Sequence, residues 1–496
     1  MIVLELEFVK QPLNCLRENV REVQEYEQTQ EIRLPDGMPD IGRILGAWGQ
    51  CVMRGKQWES TGMGCNGGVM AWVLYAPEDG SDPRSVEAWL PMQFKWSFRE
   101  DSRREGAIRT SWKLRSVDAR TLSARKMMVR ACAEVLGQAL EPETVDVSVP
   151  DAMPEDVQLL RRTYPLTMAR EAGEKAFPLE ETLSLAEGSA RPDILLNCRV
   201  QPRMTEASVV GGKAVFRGEL GIRALCRYDD GKLRCVDRAL GFSQFSDLDR
   251  DYEGEPELDV MMAVSGLEPE LTDGSLHLKS GLVVQYLVRE TKPVELVEDA
   301  YSNSRDIRMQ MGQLSMPLVL DARTQEQHPS VTWDGGAVVD LSFCPGQPRV
   351  RRAGGLAEVE QPGVFQVLYY DDRGGLQGET LTAETLWELP VGGNASVMAR
   401  MQETGWPHVS GGELHGDLQM EAVTEADSGL AMVTGLELGE LTQPDPGRPS
   451  VILRRAETGS LWELAKASGS TVSAILAANG LQSEPEPGRM LLIPVP

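Results

Sequence analysis

Alternation of apolar and polar residues is the dominant pattern along the first 440 residues of the chain. Its clearest example is the run Gly221–Tyr228, in which Ile222 and every second residue after it are apolar and share one face. The turn Asp229-Asp-Gly231 follows and predicts a hairpin. Runs of this kind recur between glycine, proline and aspartate turns, and they predict a mostly β protein.

Two stretches depart from this alternation. The charged run from Glu18 to Glu25 predicts a helix that leads into the first repeat. The run Gly62-Met-Gly64-Cys-Asn-Gly67 has the glycine spacing of a dinucleotide-binding loop, but that loop has to open a helix. Because the apolar strand Val69–Leu74 follows instead, we interpret the run as a glycine-rich hairpin.

The chain contains three copies of one sequence pattern. Pro39-Asp40-Ile41 recurs 153 positions later as Pro192-Asp193-Ile194, and the same step carries the run Gly68–Tyr75 onto Gly221–Tyr228. The third copy keeps this run as Gly363–Tyr370. Each copy is as long as a typical domain, so the pattern predicts tandem domains rather than short stacked repeats.

The second face of this strand is apolar in two of the copies. The positions that correspond to Arg223, Leu225 and Arg227 are Met70, Trp72 and Leu74 in the first copy and Phe365, Val367 and Tyr369 in the third. We expect this face to be covered by a neighbouring copy, by the chain's own extensions or by a partner, because a large apolar face rarely stays in water.

The last 46 residues change to helical spacing. Val451–Leu453 and Met490–Pro494 predict two strands. Between them, Ser460-Leu-Trp-Glu463 has the spacing of a capping box, and Asn479-Gly480 ends a second helix. The order β-α-α-β predicts a compact α/β module after a Pro-rich linker. The predicted domains are therefore 1–154, 155–300 and 301–440, then the linker 441–449 and the module 450–496.

Composition narrows the classes of partner. The formal net charge of −25 counts against nucleic acid and against an anionic membrane surface, since both need clustered Lys and Arg. No stretch approaches the roughly 18 apolar residues of a membrane span, and the N-terminus does not resemble a signal peptide. We expect a cytoplasmic protein without membrane insertion, whose eight scattered cysteines are buried free thiols.

Candidate catalytic and metal-binding groups are dispersed. The four histidines have no metal-ligand spacing, although His408 and His415 flank a turn and can meet across it. No nucleophile, base and orienting group occur at a known catalytic spacing, which counts against a hydrolase. We expect no enzymatic activity, no cofactor and no metal site.

The C-terminal module resembles the LysM domain. The residues in register are Leu461, Trp462, Ala465, Asn479, Gly488, Leu491, Ile493 and Pro494. The upstream copies resemble the SPOCS domain (DUF3794) of spore-forming Firmicutes, through the segment from Leu34 to Leu45 and the Gly-to-Tyr strand. Tandem SPOCS domains followed by a LysM domain are the layout of SipL-type spore coat morphogenesis proteins.

This resemblance implies tandem β-sandwich-like SPOCS domains followed by a small βααβ LysM domain. It also implies a non-enzymatic scaffold of the spore envelope that acts in the mother cell, at the forespore surface. In that family the LysM domain engages a spore coat ATPase of the SpoIVA type. The alternative is a cell-envelope protein whose LysM domain binds peptidoglycan.

The resemblance also implies a binding site, because two loops form a shallow groove in glycan-binding LysM domains. The corresponding residues are Thr458, Gly459, Ser460 and Leu461 in the first loop and Asn479, Gly480, Leu481 and Gln482 in the second. The acidic residue usual in the first loop is missing. We expect Leu461 and Leu481 to form an apolar floor that suits a protein side chain better than a sugar polymer.

Overall fold

The computed structural model describes residues 4–99, 105–427, 429–442, 447, 449–456 and 460–495. Most of the predicted linker therefore lies outside the described residues. The strands are β1 (Leu4–Glu7), β2 (Val9–Arg33), β3 (Ile41–Glu59), β4 (Gly62–Pro77), β5 (Arg84–Ser97), β6 (Ala107–Ser123), β7 (Lys126–Val149), β8 (Val157–Ser184), β9 (Pro192–Val210), β10 (Lys213–Tyr228), β11 (Leu233–Asp247), β12 (Glu257–Thr272), β13 (Ser275–Ser302), β14 (Ile307–Leu314), β15 (Pro317–Gln327), β16 (Ser330–Thr332), β17 (Ala337–Pro345), β18 (Arg349–Ala353), β19 (Leu356–Tyr370), β20 (Leu376–Pro390), β21 (Ser396–Glu403), β22 (His408–Ser410), β23 (Glu413–His415), β24 (Leu418–Asp427), β25 (Leu430–Leu438), β26 (Val451–Arg455) and β27 (Met490–Pro494). The helices are α1 (Leu461–Ser468) and α2 (Val472–Ala478).

Each of the first two repeats is a sandwich of two three-stranded antiparallel sheets. Repeat one, residues 9–149, packs the sheet β2-β7-β6 against the sheet β3-β4-β5. Repeat two, residues 157–302, has the same arrangement with β8-β13-β12 and β9-β10-β11. The predicted fold class is confirmed: tandem β-sandwiches precede a small βααβ module. The exact domain boundaries stay predictions.

Repeat three, residues 307–438, follows the same order with shorter strands. Its first strand is divided into β14 and β15, and its last strand is divided into β24 and β25. Its second sheet is β17-β19-β20, with β18 also paired to β19. Strand β1 pairs with β25, so the beginning of the described chain adds a strand to repeat three.

The middle strand of the second sheet confirms the predicted alternation in repeats one and two. Tyr75 and Tyr228 both face the core of their own repeat. Their hydroxyl groups donate to the backbone carbonyls of Pro39 at 2.9 Å and Leu185 at 2.7 Å. Each tyrosine therefore ties the end of its strand to the connection between the two sheets of its repeat.

Repeat three departs from the predicted alternation by one residue. Phe365, Val367 and Tyr369 were expected on the outer face, but they pack in the core of repeat three. Leu368 faces outward and contacts residues of the other two repeats. A shift of one residue moves every side chain of a strand to the other face. β19 ends at Tyr370, as β10 ends at Tyr228, but Tyr369 is the tyrosine that packs against the core of repeat three.

The helix predicted at Glu18–Glu25 is also wrong, because these residues lie within β2. β2 pairs with β7 along its whole length, with a bulge between Glu18 and Val20. This pairing buries Asn19 and Val20, while most of the charged residues around them stay at the surface. The run is a strand because its backbone groups bond to a strand far along the chain.

The outer apolar face of the repeats is covered by neighbouring repeats. Trp72 of repeat one is 5% exposed and packs with residues of repeat two. Leu74, Leu225 and Leu368, one from each repeat, lie in a single buried cluster. The three repeats therefore share apolar contacts across their outer faces.

Buried ion pairs also join the repeats. Asp259 of repeat two lies between Arg109 of repeat one and Arg400 of repeat three. The Arg109 guanidinium donates to the two Asp259 carboxylate oxygens at 2.9 and 3.1 Å, and only 6% of the Asp259 side chain is exposed. Burial raises the pKa of Asp259, but the two arginines outweigh burial and hold this pKa well below its usual range.

A cavity of about 280 Å³ lies where the three repeats meet. Its walls include Lys113, Gln201 and Glu403, one residue from each repeat. The Glu403 carboxylate accepts hydrogen bonds from the Gln201 amide at 2.9 Å and from Lys113 at 3.4 Å. These polar groups partner one another, so the cavity wall adds a further contact among the repeats.

Replacing Asp259 with Asn is expected to destabilise the packing of the repeats by about 3–5 kcal/mol, because two arginines lose their shared counter-charge in a buried site. Denaturant unfolding of the full chain measures this loss. The matched control is Asp247→Asn in the exposed Lys213–Asp247 pair, which should cost less than about 1 kcal/mol. Equal costs for the two substitutions would contradict a structural role for Asp259.

Candidate functional site

Local sequence accounts for both helices of the C-terminal module. The Ser460 hydroxyl accepts a hydrogen bond from the Glu463 amide at 3.4 Å, and the Thr471 hydroxyl accepts one from the Ala474 amide at 3.1 Å. Each helix therefore begins at a side-chain cap. Gly469 has a φ of 61°, the left-handed conformation that ends α1 at low cost. The predicted β-α-α-β order is confirmed.

Asn479 connects the end of α2 to strand β27. Its side-chain amide donates to the carbonyls of Ile475 at 2.8 Å and Leu492 at 2.7 Å, and its side-chain oxygen accepts from the Leu492 amide at 2.8 Å. Both amide hydrogens and the oxygen are therefore used inside the module. Asn479 holds the second loop in place.

The two predicted loops pack on the same core, through Leu461 and Leu481. The Leu461 amide donates to the Glu484 carboxylate at 3.2 Å, which joins the first loop to the segment after the second loop. Ser460, Gly480 and Gln482 are exposed. Thr458 and Gly459, which were also predicted for this site, lie outside the described residues.

The apolar floor expected between these loops is missing at Leu461. The Leu461 side chain is 5% exposed and packs with Trp462 and Ile475 in the core of the module. Leu481 is half-buried against the same core. The exposed described residues of the two loops are Ser460, Gly480 and Gln482, so this surface is mainly polar.

Helix α1 docks on the end of repeat two. Trp462 donates its indole N–H to the Asp299 carboxylate at 2.7 Å, and Lys466 pairs with the same carboxylate at 2.7 Å. Tyr301 packs edge-on against Trp462, with ring centroids 4.7 Å apart, and donates its hydroxyl to the Ser470 carbonyl at 2.9 Å. This contact uses α1 and the turn after it, and it leaves the exposed loop residues uncovered.

Residues 460–494 match the family model of the LysM domain. The C-terminal module is a LysM domain. No curated protein and no solved structure matches the chain. The resemblance of the three repeats to the SPOCS domain stays a prediction.

Asp299 is the charged centre of the contact between the LysM domain and repeat two. Burial raises the pKa of Asp299, but the bonds from Lys466 and Trp462 outweigh burial and lower this pKa. A lowered pKa stabilises the docked state above the ordinary aspartate pKa of about 4. This stabilisation is lost as the pH falls through the lowered pKa of the docked carboxylate.

Sequence reasoning missed Asp299, Tyr301 and Glu484 as residues that position the site. Asp299 and Tyr301 belong to β13, where strand alternation accounts for them without any contact to a distant helix. Glu484 lies in a polar segment between α2 and β27, and no motif marks it. Only the packing of the LysM domain on repeat two identifies the first two residues.

Histidines lie together in repeat three. His408 and His415 meet as predicted, with ring centroids 5.4 Å apart. His328 and His408 both contact the Asp417 carboxylate, at 2.9 and 3.5 Å. Across the described ranges, no group of three or more His, Cys, Asp or Glu has the geometry of a metal site.

The eight cysteines are unpaired, and all except Cys235 are buried. Burial raises the pKa of Cys51 to about 12, so its thiol stays protonated at neutral pH. Buried free thiols were predicted, and this prediction is confirmed for seven of the eight cysteines, while Cys235 is partly exposed. Neither of the two helices in the described part of the chain is long and apolar enough to cross a membrane.

Substitution of Asn479 and Gln482 separates structural from surface roles in the second loop. Asn479→Ala is expected to destabilise the LysM domain by about 1–3 kcal/mol, because the Leu492 amide and two carbonyls lose their partner. Gln482→Ala, at an exposed position, should change stability by less than about 0.5 kcal/mol. Hydrogen exchange of residues 460–495 in the full chain measures both effects, and equal protection in the two variants would contradict this assignment.

Asp299→Asn is expected to weaken docking of the LysM domain by about 1 kcal/mol, because the ion pair with partly exposed Lys466 is lost. Faster hydrogen exchange in α1 measures this change. In the unmodified chain, the protection of α1, corrected for the intrinsic pH dependence of amide exchange, should begin to fall below about pH 4 and should be lost as the pH falls through the lowered pKa of docked Asp299. The control is Glu295→Gln, which removes an exposed pair with Arg161 from the same strand. Unchanged exchange in the Asp299 variant would count against this contact.

Proposed function

We propose that the protein is a non-enzymatic scaffold of the bacterial spore envelope that engages a coat protein through its LysM domain. The observation that carries this proposal is the docking of α1 at Asp299, which holds the LysM domain on the repeats and leaves its loops uncovered. A recognition module in a set orientation suits a scaffold, because less orientational freedom is lost on binding.

The arrangement of charge supports the same proposal. In residues 450–496, Arg454, Arg455, Lys466 and Arg489 balance Glu457, Glu463, Glu484 and Glu486. The net charge of −25 therefore lies on the rest of the chain. A neutral module on an acidic body can approach a charged partner that the body alone would repel. Following the resemblance, the partner is a coat ATPase of the SpoIVA type, met in the mother cell at the forespore surface.

Glycan binding is the second candidate function. The match to the LysM domain and the polar character of the loops favour it, because Leu461 faces inward and leaves Ser460, Gly480 and Gln482 at the surface. Exposed backbone and amide groups of this kind can bond to the N-acetyl groups of peptidoglycan. In this case the protein would be an envelope protein anchored to the cell wall polymer.

Binding measurements with two purified probes decide between these functions. The full chain is immobilised and exposed to a purified SpoIVA-type coat ATPase, and it is separately sedimented with purified peptidoglycan. The scaffold function predicts saturable binding to the ATPase and no sedimentation with peptidoglycan. The glycan function predicts sedimentation that Gln482→Ala weakens, whereas an exposed control, Leu386→Ser on β20, does not. Absence of both interactions would refute both candidates.

A further inference from the structure

The outer face of the LysM sheet exposes four large apolar side chains. The exposed fractions are 52% for Val451, 59% for Leu453, 49% for Met490 and 45% for Leu492. On β27, the alternate residues Leu491 and Ile493 are fully buried in the core of the domain, and on β26 the alternate residue Ile452 is partly buried against the same core. Both faces of this two-stranded sheet therefore carry apolar residues, and among the described residues it is the inner face that packs against the core of the domain.

The four side chains form one patch. Strands β26 and β27 pair with Leu453 opposite Leu492 and with Arg455 opposite Met490. Val451 lies two residues before Leu453 and therefore on the same face. The patch is two strands wide and about 7 Å long per strand, which corresponds to one or two turns of a helix with a pitch of about 5.4 Å.

The charged residues of the two strands have one sign. Arg454, Arg455 and Arg489 lie on or next to the two strands, and all three are exposed. The sequences of β26 and β27 contain no acidic residue. A basic rim beside apolar side chains is complementary to a segment that combines apolar and acidic residues.

The patch is separate from the other surfaces of the LysM domain. The contacts with repeat two come from Trp462, Lys466 and Ser470, which lie on α1 and the turn after it. The exposed loop residues Ser460 and Gln482 lie at the ends of the helices and not on the sheet. Docking on the repeats and binding at the loops can therefore occur while the sheet face stays open.

We propose that this sheet face, defined by Val451, Leu453, Met490 and Leu492, binds the apolar side of an acidic amphipathic helix from another protein. Leucine-like residues at helical spacing would cover the patch, and flanking carboxylates would pair with the arginines. A second copy of this chain is a poorer occupant, because face-to-face packing would bring the arginines of two copies together and place two acidic bodies side by side.

This inference extends the proposed function, since it assigns a protein partner to the sheet and leaves the loops free for a second ligand. It does not depend on which coat protein is bound or on binding at the loops. Its test therefore uses a synthetic probe. A failure of the chain to bind the coat ATPase would not contradict this inference.

The test measures binding of a fluorescent helical peptide to the full chain. The peptide has about 20 residues, with Leu at positions i, i+3, i+4 and i+7 and Glu or Gln elsewhere. The double substitution Leu453→Ser and Leu492→Ser removes half of the patch at exposed positions. The matched control is Leu386→Ser, which removes a leucine of 54% exposure from repeat three. Hydrogen exchange of residues 460–495 verifies that each variant keeps the LysM fold.

We expect the unmodified chain and the Leu386 variant to bind the peptide equally, and the double variant to bind about tenfold more weakly or worse. Replacing Arg455 and Arg489 with Glu should also weaken binding, and this loss should shrink at high salt. Failure of the unmodified chain to bind, or equal binding by the double variant, would overturn the proposal. A dimer of the unmodified chain in sedimentation equilibrium that the double variant abolishes would also overturn it, by assigning the face to a second copy.

Discussion

The shared charge of Asp259 is the interaction on which the packing of the three repeats depends. One carboxylate, almost fully buried, meets Arg109 from one neighbouring repeat and Arg400 from the other. Burial of an ion costs several kcal/mol unless its partners are in place. The site is therefore stable only when all three repeats are packed together. An isolated repeat would present one unpaired member of this group to water.

Other contacts between the repeats follow the same logic. Arg199 of repeat two meets the buried Asp340 of repeat three, and Glu134 of repeat one accepts hydrogen bonds from Gln347 and Arg349 of repeat three. The apolar cluster around Leu225 adds buried surface area, but apolar contacts are not directional. The hydrogen-bonded ion pairs are directional, and they set the orientation of each repeat. An acidic chain thus places several of its arginines where the repeats meet.

The LysM domain shows how one small module can serve several contacts at once. Its helix α1 faces repeat two, its first loop is bonded through Leu461 to Glu484 in the segment after the second loop, and its sheet presents an apolar face with a basic rim. Asn479 allows these surfaces to make separate contacts, because its hydrogen bonds fix α2 to β27 without any contact with the repeats. The orientation of the loops and the sheet is then set by Asp299 and Tyr301 of repeat two.

Local signals in the sequence account for much of the secondary structure of this protein. Alternation from Ile222 to Tyr228 predicted the strands, and the caps at Ser460 and Asn479 predicted the helices, because both signals lie within a few neighbouring residues. Features that depend on residues far apart in the chain follow from packing and not from local signals. Pairing with β7 turned Glu18–Glu25 into a strand, and a one-residue shift exchanged the faces of Phe365–Tyr369. Likewise, only packing could bring Asp299 to Trp462, since no local period records which surfaces meet.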